Sequence, residues 1–176
     1  MFETSVVSVN SALQRARKTI DERLPDQSQQ ATLGTLGDER LSELVQAYTD
    51  AMQQGDVDAV VALLTEDATW SMPPMPAWYH GNEAITAFLV EYPLQERWRH
   101  IPTRANGQVA IGCYMWDEER ERYMAAVLDV LTIRGDRIHD ITAFVSPWVF
   151  KRFGDVTGTM TPEAFRRFGL PDEVPA

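Results

Sequence analysis

The sequence predicts an α+β domain in which a curved antiparallel sheet wraps three helices as a cone, preceded by a separate helix at the N-terminus. Two observations carry this. Between residues 38 and 92 apolar side chains recur at three- and four-residue steps, the spacing of one helical face. From residue 97 onward the pattern changes to β-branched and aromatic runs broken by turn residues. Helices first and strands after is the order of folds whose helices gather on one side of an antiparallel sheet. The length of 176 residues with 44% apolar and 10% aromatic side chains supplies one core able to stand without staples, plus a modest appendage.

The elements follow in order. Val6, Val9, Leu13, Ala16 and Ile20 form a narrow apolar stripe, and Pro25 stops that first helix. Residues 25–38 are polar, punctuated by glycine and without period, so they read as a linker between residues 1–24 and a domain over 39–176. Asp38 is placed to cap a helix carrying Leu41, Leu44, Val45, Tyr48 and Met52, which Gly55 closes. Asp56 caps a shorter helix with Val57, Val60, Val61 and Leu64 on one face. A short strand over 68–72 ends at Pro73 and Pro74, and a third helix runs from Gly81 to about Tyr92, before Pro93. Strands are predicted over 97–104, 108–116, 123–134 and 138–150, separated by Asn106-Gly107, the charged stretch 117–122 and Arg134-Gly135-Asp136.

Composition excludes several functions. A single cysteine, Cys113, permits neither an internal disulfide nor a cysteine-based zinc site, and a lone thiol suits a reducing cytoplasm. Three scattered histidines, no two at a ligand spacing, argue against a metal, and no motif calls for a cofactor. Nothing reads as a secretion signal or a membrane span, so a cytoplasmic protein with no membrane partner is expected. The net charge of −10 argues against a nucleic-acid-binding surface on the body. Its distribution is uneven: residues 1–24 hold four basic and three acidic side chains, the remainder twelve and twenty-three. Residues 38–67 alone carry eight carboxylates against one arginine.

Residues 44–72, LVQAYTDAMQQGDVDAVVALLTEDATWSM, resemble the opening of the nuclear-transport-factor-2-like superfamily, which includes ketosteroid isomerases and SnoaL-like polyketide cyclases. Residues 71–81 (SMPPMPAWYHG), 102–108 (PTRANGQ), 128–131 (LDVL) and 168–171 (FGLP) resemble, more narrowly, the SnoaL-like C-terminal domain of extracytoplasmic-function sigma factors. Residues 4–18 (TSVVSVNSALQRARK) resemble the recognition helix that ends region 4 of such a protein. Region 2 has no counterpart and region 4 only part of one helix, so the sequence reads as part of a longer protein.

The resemblance implies a regulatory domain that docks on the preceding sigma regions and tunes promoter-directed initiation, with RNA polymerase core and promoter DNA as partners of the intact protein. Arg15, Arg17 and Lys18 would then contact phosphate, and Asn10, Ser11 and Gln14 would lie toward base edges. Without the supporting helix of a helix-turn-helix, the isolated chain is expected not to bind promoter DNA tightly. Homodimerisation through the sheet is a further partner mode that the resemblance implies.

The same resemblance gives a pocket. Tyr48 falls at the position of the isomerase tyrosine and Asp129 at that of an inner-strand carboxyl, while Met72 occupies the position of the base. A thioether accepts no proton, which disables that isomerase mechanism. Asp129 lies in an apolar strand context and needs a partner if buried; His100 and Arg104 on the neighbouring strand are the candidates. Tyr48, Trp70, Met72, Trp78, His100 and Asp129 are the expected lining of a pocket for an apolar small molecule. The alternative function is a SnoaL-like cyclase, isomerase or hydrolase using Asp129, His100 and Tyr48. His80 and His139 are expected at the surface.

Overall fold

The computed structural model describes residues 6–23, 27–149 and 160–176. The helices are α1 (Val6–Arg23), α2 (Gln29–Leu36), α3 (Asp38–Gln54), α4 (Val57–Ala62), α5 (Gly81–Glu91) and α6 (Pro162–Arg167). The strands are β1 (Leu64–Ser71), β2 (Trp78–His80), β3 (Trp98–Ala105), β4 (Gln108–Asp117), β5 (Arg122–Arg134), β6 (Arg137–Val145) and β7 (Glu173–Val174). They form one sheet in the order β2-β1-β6-β5-β4-β3, with β7 added to the start of β5.

The α+β architecture is the expected one, with one refinement of the sheet. Every pairing is antiparallel except β1 with β6, which run parallel, so the sheet is mixed. The parallel pair arises because α5 and the four strands β2, β3, β4 and β5 separate β1 from β6 in sequence, and β6 returns to β1 as its neighbour. Register shifts at Cys113/Tyr114 in β4–β5 and at Thr132/Ile133 in β5–β6 bend the long strands around the helices.

Helix α3 begins one residue before its expected core, with Gly37 rather than Asp38 at the cap. Asp38 instead joins Glu39 in the first turn, where carboxylates favour the helix dipole. Gly55 closes the helix in the left-handed conformation, its N–H reaching Ala51 and Met52 carbonyls. Leu41, Leu44, Tyr48 and Met52 are buried as the spacing predicts. In α4 the Asp56 carboxylate accepts from the Ala59 N–H at 3.0 Å. The strand starts earlier than expected, at Leu64, and burial alternates only over residues 68–71, the part read as strand from the sequence.

Residues 29–36, read as linker, form α2. Ser28 caps it, and Gln29 fastens it to the sheet through both amide atoms, accepting from the Ile133 N–H at 2.8 Å and donating to the Ile133 carbonyl at 3.3 Å. The linker reading missed this because α2 has no fully buried residue: only Leu33 and Leu36, both partly buried, pack against the core, too short a stripe to read as a helical face. The last long strand stops at Val145, ahead of Pro147; Phe150, its expected end, lies outside the described residues.

Among the described residues the two larger cores sit on opposite faces of the sheet. On one, α3, α4 and α5 cover Val109, Ile111 and Cys113 of β4 and Leu131 and Ile133 of β5. On the other, Phe165 and Leu170 cover Ala110, Tyr114, Ala125 and Leu128. Strand parity sorts these residues, since β4 sends odd positions to the helices and even positions to the C-terminal segment. Gly112 lies under Leu170: a Cβ there would stand 2.7 Å from Leu170 Cδ1.

Candidate functional site

The helix-covered face leaves a cavity in two chambers. The inner chamber, about 70 Å³, lies between α3, β1 and the middle strands, with Trp70, His100, Cys113 and Asp129 among its walls. The outer chamber, about 350 Å³, is walled by Met72, Met75, Tyr79, Phe88, Met115 and Val149 among others. Met72, Phe88, Pro93, Trp98, Val127 and Val145 line both, so the chambers adjoin.

Asp129 sits in mid-strand on β5, opposite Ile111 of β4 and Ala143 of β6, and is 2% exposed. Its Oδ2 accepts from the Tyr48 hydroxyl at 3.1 Å and from the Cys113 thiol at 3.4 Å. Its Oδ1 is buried with no partner. Burial pushes the carboxyl up to about 6, against the smaller opposing pull of the Cys113 and Tyr48 hydrogen bonds. Burial likewise pushes the Tyr48 hydroxyl and the Cys113 thiol well above their ordinary values, with the Asp129 charge adding to both.

His100 faces the same chamber from the edge strand β3, directly across from Cys113. As a residue it is half-buried, yet both ring nitrogens are closed off and unpartnered. Burial lowers it to about 4, so the ring is neutral near pH 7. Its backbone N–H is held by Gln53 Oε1 of α3 at 3.1 Å. Trp70 packs edge-on against Phe88, centroids 5.5 Å apart, and its Nε1 is also buried without a partner.

Of the pocket residues named from sequence, the structure brings Tyr48, Trp70, Met72, His100 and Asp129 together, Tyr48 through its bond to the carboxylate and the others as walls. Trp78 does not join them. It is 61% exposed and stacks on His80, because β2 turns Tyr79 inward onto Phe88 and its neighbours outward. The expected pairing of Asp129 with His100 or Arg104 is also corrected: neither His100 nitrogen has a partner, Arg104 is exposed, and the donors to the carboxylate are Tyr48 and Cys113, both on Oδ2. His139 is half-buried rather than at the surface, its Nδ1 3.1 Å from the Thr65 hydroxyl. His80 is exposed as expected.

From the sequence, Cys113 bears only on disulfide and zinc chemistry, both of which a lone cysteine excludes. Parity with Val109 and Ile111 is the signal that places it on the cavity face. On α1, Asn10, Gln14, Arg15, Arg17 and Lys18 are all exposed, as are Val9, Leu13 and Ile20 of the apolar stripe. Among the described residues no cluster of three His, Cys, Asp or Glu side chains is placed to hold a metal. No described helix is long and apolar enough to cross a membrane.

Residues 45–141 match the family model of the SnoaL-like domain. The chain is 33% identical over 155 residues to the ECF RNA polymerase sigma factor SigG of two Mycobacterium tuberculosis strains, an alignment that takes in 86% of this chain and 40% of the relative. The chain thus spans about two-fifths of the length of the curated relatives it matches. Among solved structures, an NTF-2 like protein of unknown function from Burkholderia xenovorans superposes with a TM-score of 0.54 at 15% identity, covering 70% of this chain and 99% of that one. A SnoaL-like protein of unknown function from Burkholderia thailandensis gives 0.50 at 19% identity, over 62% of this chain and 98% of that one. At these identities the two structures speak for the fold alone.

Proposed function

The chain belongs to the SnoaL-like domain family, and from that premise we propose that it is the regulatory C-terminal part of a sigma factor. In this reading it docks on the preceding sigma regions, tunes initiation by RNA polymerase at promoters, works in the cytoplasm, and senses an apolar small molecule in its cavity. The observation that carries the proposal is the alignment to the mycobacterial sigma factors, which extends well beyond residues 45–141 of the domain itself.

Two structural features support it. The stripe of Val9, Leu13 and Ile20 on α1 is 45–54% exposed, the state of a helix whose packing partner belongs to another element. The start of the domain is strongly acidic, with eight carboxylates over residues 38–67, which suits contact with a basic DNA-binding region. A chimera that joins the N-terminal regions of the mycobacterial relative to this chain tests the reading. Promoter-directed transcription is compared with residues 39–176 present and deleted, and a change in output is expected. Unchanged output overturns the proposal.

The second reading, a cyclase, isomerase or hydrolase acting on an apolar molecule, is favoured by a buried carboxyl raised to about 6 on a cavity wall. Against it stands Met72 at the junction of the chambers, which supplies no base there.

A further inference from the structure

The two chambers carry an uneven charge. Asp129 lines the inner one and Glu96 the outer one, and among the described residues lining either there is no lysine or arginine. Asp129 has its Oδ2 taken by two neutral donors, Tyr48 and Cys113, while Oδ1 has none. A buried carboxylate held only by neutral groups lacks the counter-charge that usually offsets its desolvation. Around it the walls are aromatic rings and thioethers: Trp70, Phe88 and Trp98 in the inner chamber, Tyr79, Met72 and Met75 further out.

An anionic head group would enter beside a carboxylate with no cation to relieve the repulsion. A neutral alcohol or amide would satisfy Oδ1 but leave the charge uncompensated. A primary ammonium answers both needs: one N–H for Oδ1 and the positive charge for the carboxylate, in a site whose remaining walls are rich in aromatic rings. The unpartnered His100 ring, neutral and therefore carrying one acceptor nitrogen, offers a second contact. The small inner and larger outer volumes fit a compact head followed by an apolar body.

We infer that the cavity takes a small apolar amine, its ammonium group against Asp129 in the inner chamber and its body among the aromatic and methionine side chains of the outer one. This rests on the small-molecule half of the function proposed above and is independent of the transcriptional half.

Calorimetric titration of the whole chain with 4-phenylbutylamine, 4-phenyl-1-butanol and 4-phenylbutanoate tests it, since the three probes differ only in head group. At about pH 8 the amine is protonated and the carboxylate ionised, and the amine is expected to bind about tenfold more tightly than the alcohol, with the acid weakest. In Asp129→Asn the amine advantage is expected to vanish while alcohol binding is retained. Wild-type protein at about pH 5 provides the same comparison without a substitution, because the carboxyl is then protonated while His100, Tyr48 and Cys113, the other titratable groups facing it, stay neutral. Alcohol or acid binding as tight as the amine at pH 8, or an amine preference that persists in both Asp129→Asn and the acidic buffer, overturns the inference. Binding of the alcohol alone leaves the small-molecule reading standing; binding of none of the three removes both.

Discussion

The Tyr48 hydroxyl donates to Asp129 Oδ2 across 3.1 Å, tying the longest helix of the domain to the middle of its sheet. The bond joins residues 81 positions apart, and neither partner has another polar contact to the helix layer among the described residues. Tyr48→Phe removes the hydroxyl and keeps the ring, so the loss isolates this bond. The carboxylate is left with the weaker thiol donor, and the expected cost is about 1.5–3 kcal/mol in urea unfolding at neutral pH. The penalty is expected to shrink toward pH 4, where the carboxyl is protonated and needs the donor less.

Asp129 and His100 place opposite pH dependences in one cavity. The Asp129 carboxyl moves from 3.8 up to about 6 on folding, so the folded state holds its proton more tightly and stability falls as pH rises between those values. The His100 ring moves from 6.5 down to about 4, so the unfolded state holds the proton more tightly and stability falls as pH drops through that window. Each contribution spans up to about 3 kcal/mol, and in the wild type they largely offset. Relative to wild type, Asp129→Asn is therefore expected to gain stability as pH rises from about 4 to 6, and His100→Phe to gain it as pH falls from about 6.5 to 4. Parallel denaturation curves for both variants across that range would show these shifts absent.

Helix α1 should be thermodynamically separate from the domain. Its described side chains are exposed apart from a half-buried Ser11, and burial is what would couple it to the rest. Deleting residues 1–24 is expected to change the unfolding free energy of the remaining chain by no more than about 0.5 kcal/mol. A larger loss in urea denaturation would mean that the helix contributes to the domain core.

The contrast between α1 and α2 shows what the sequence makes legible. Burial leaves a period, and the faces of α3 and of strands β4 and β5 could be read from it because Leu41, Leu44, Tyr48, Ile111 and Leu131 are all inside. Helix α2 is held by the Gln29 amide on the Ile133 backbone and by the partly buried Leu33 and Leu36, and a polar clasp between residues 104 apart with two apolar contacts leaves too little period to read. The cavity was legible to the same degree. Asp129 declared itself as a carboxylate in an apolar strand, and its resemblance to known relatives supplied Tyr48. The Cys113 contact depended on a register across β4 and β5 that includes a shift next to that residue, and such a shift is invisible one strand at a time. Trp78 failed for the simpler reason that a three-residue edge strand gives too short a pattern to fix parity.

The contact between Gly112 and Leu170 yields a prediction about how the second core is closed. Gly112 lies at the centre of β4, where a side chain would point toward the C-terminal segment; its added Cβ would stand 2.7 Å and 3.1 Å from the two Leu170 methyls and 3.3 Å from Tyr114 Cε2. Leu170 is 3% exposed and the Tyr114 hydroxyl is tied to the Pro171 carbonyl at 2.9 Å, so neither neighbour yields freely. Gly112→Ala is expected to cost about 1–3 kcal/mol by overpacking. Leu170→Ala is expected to cost about 2–5 kcal/mol by leaving a void over the glycine. Combined, the new methyl occupies part of the space that the leucine vacates, so the double variant should be more stable than the sum of the two losses by about 0.5–3 kcal/mol. Additive losses in urea unfolding would show that Gly112 is not reserved for Leu170.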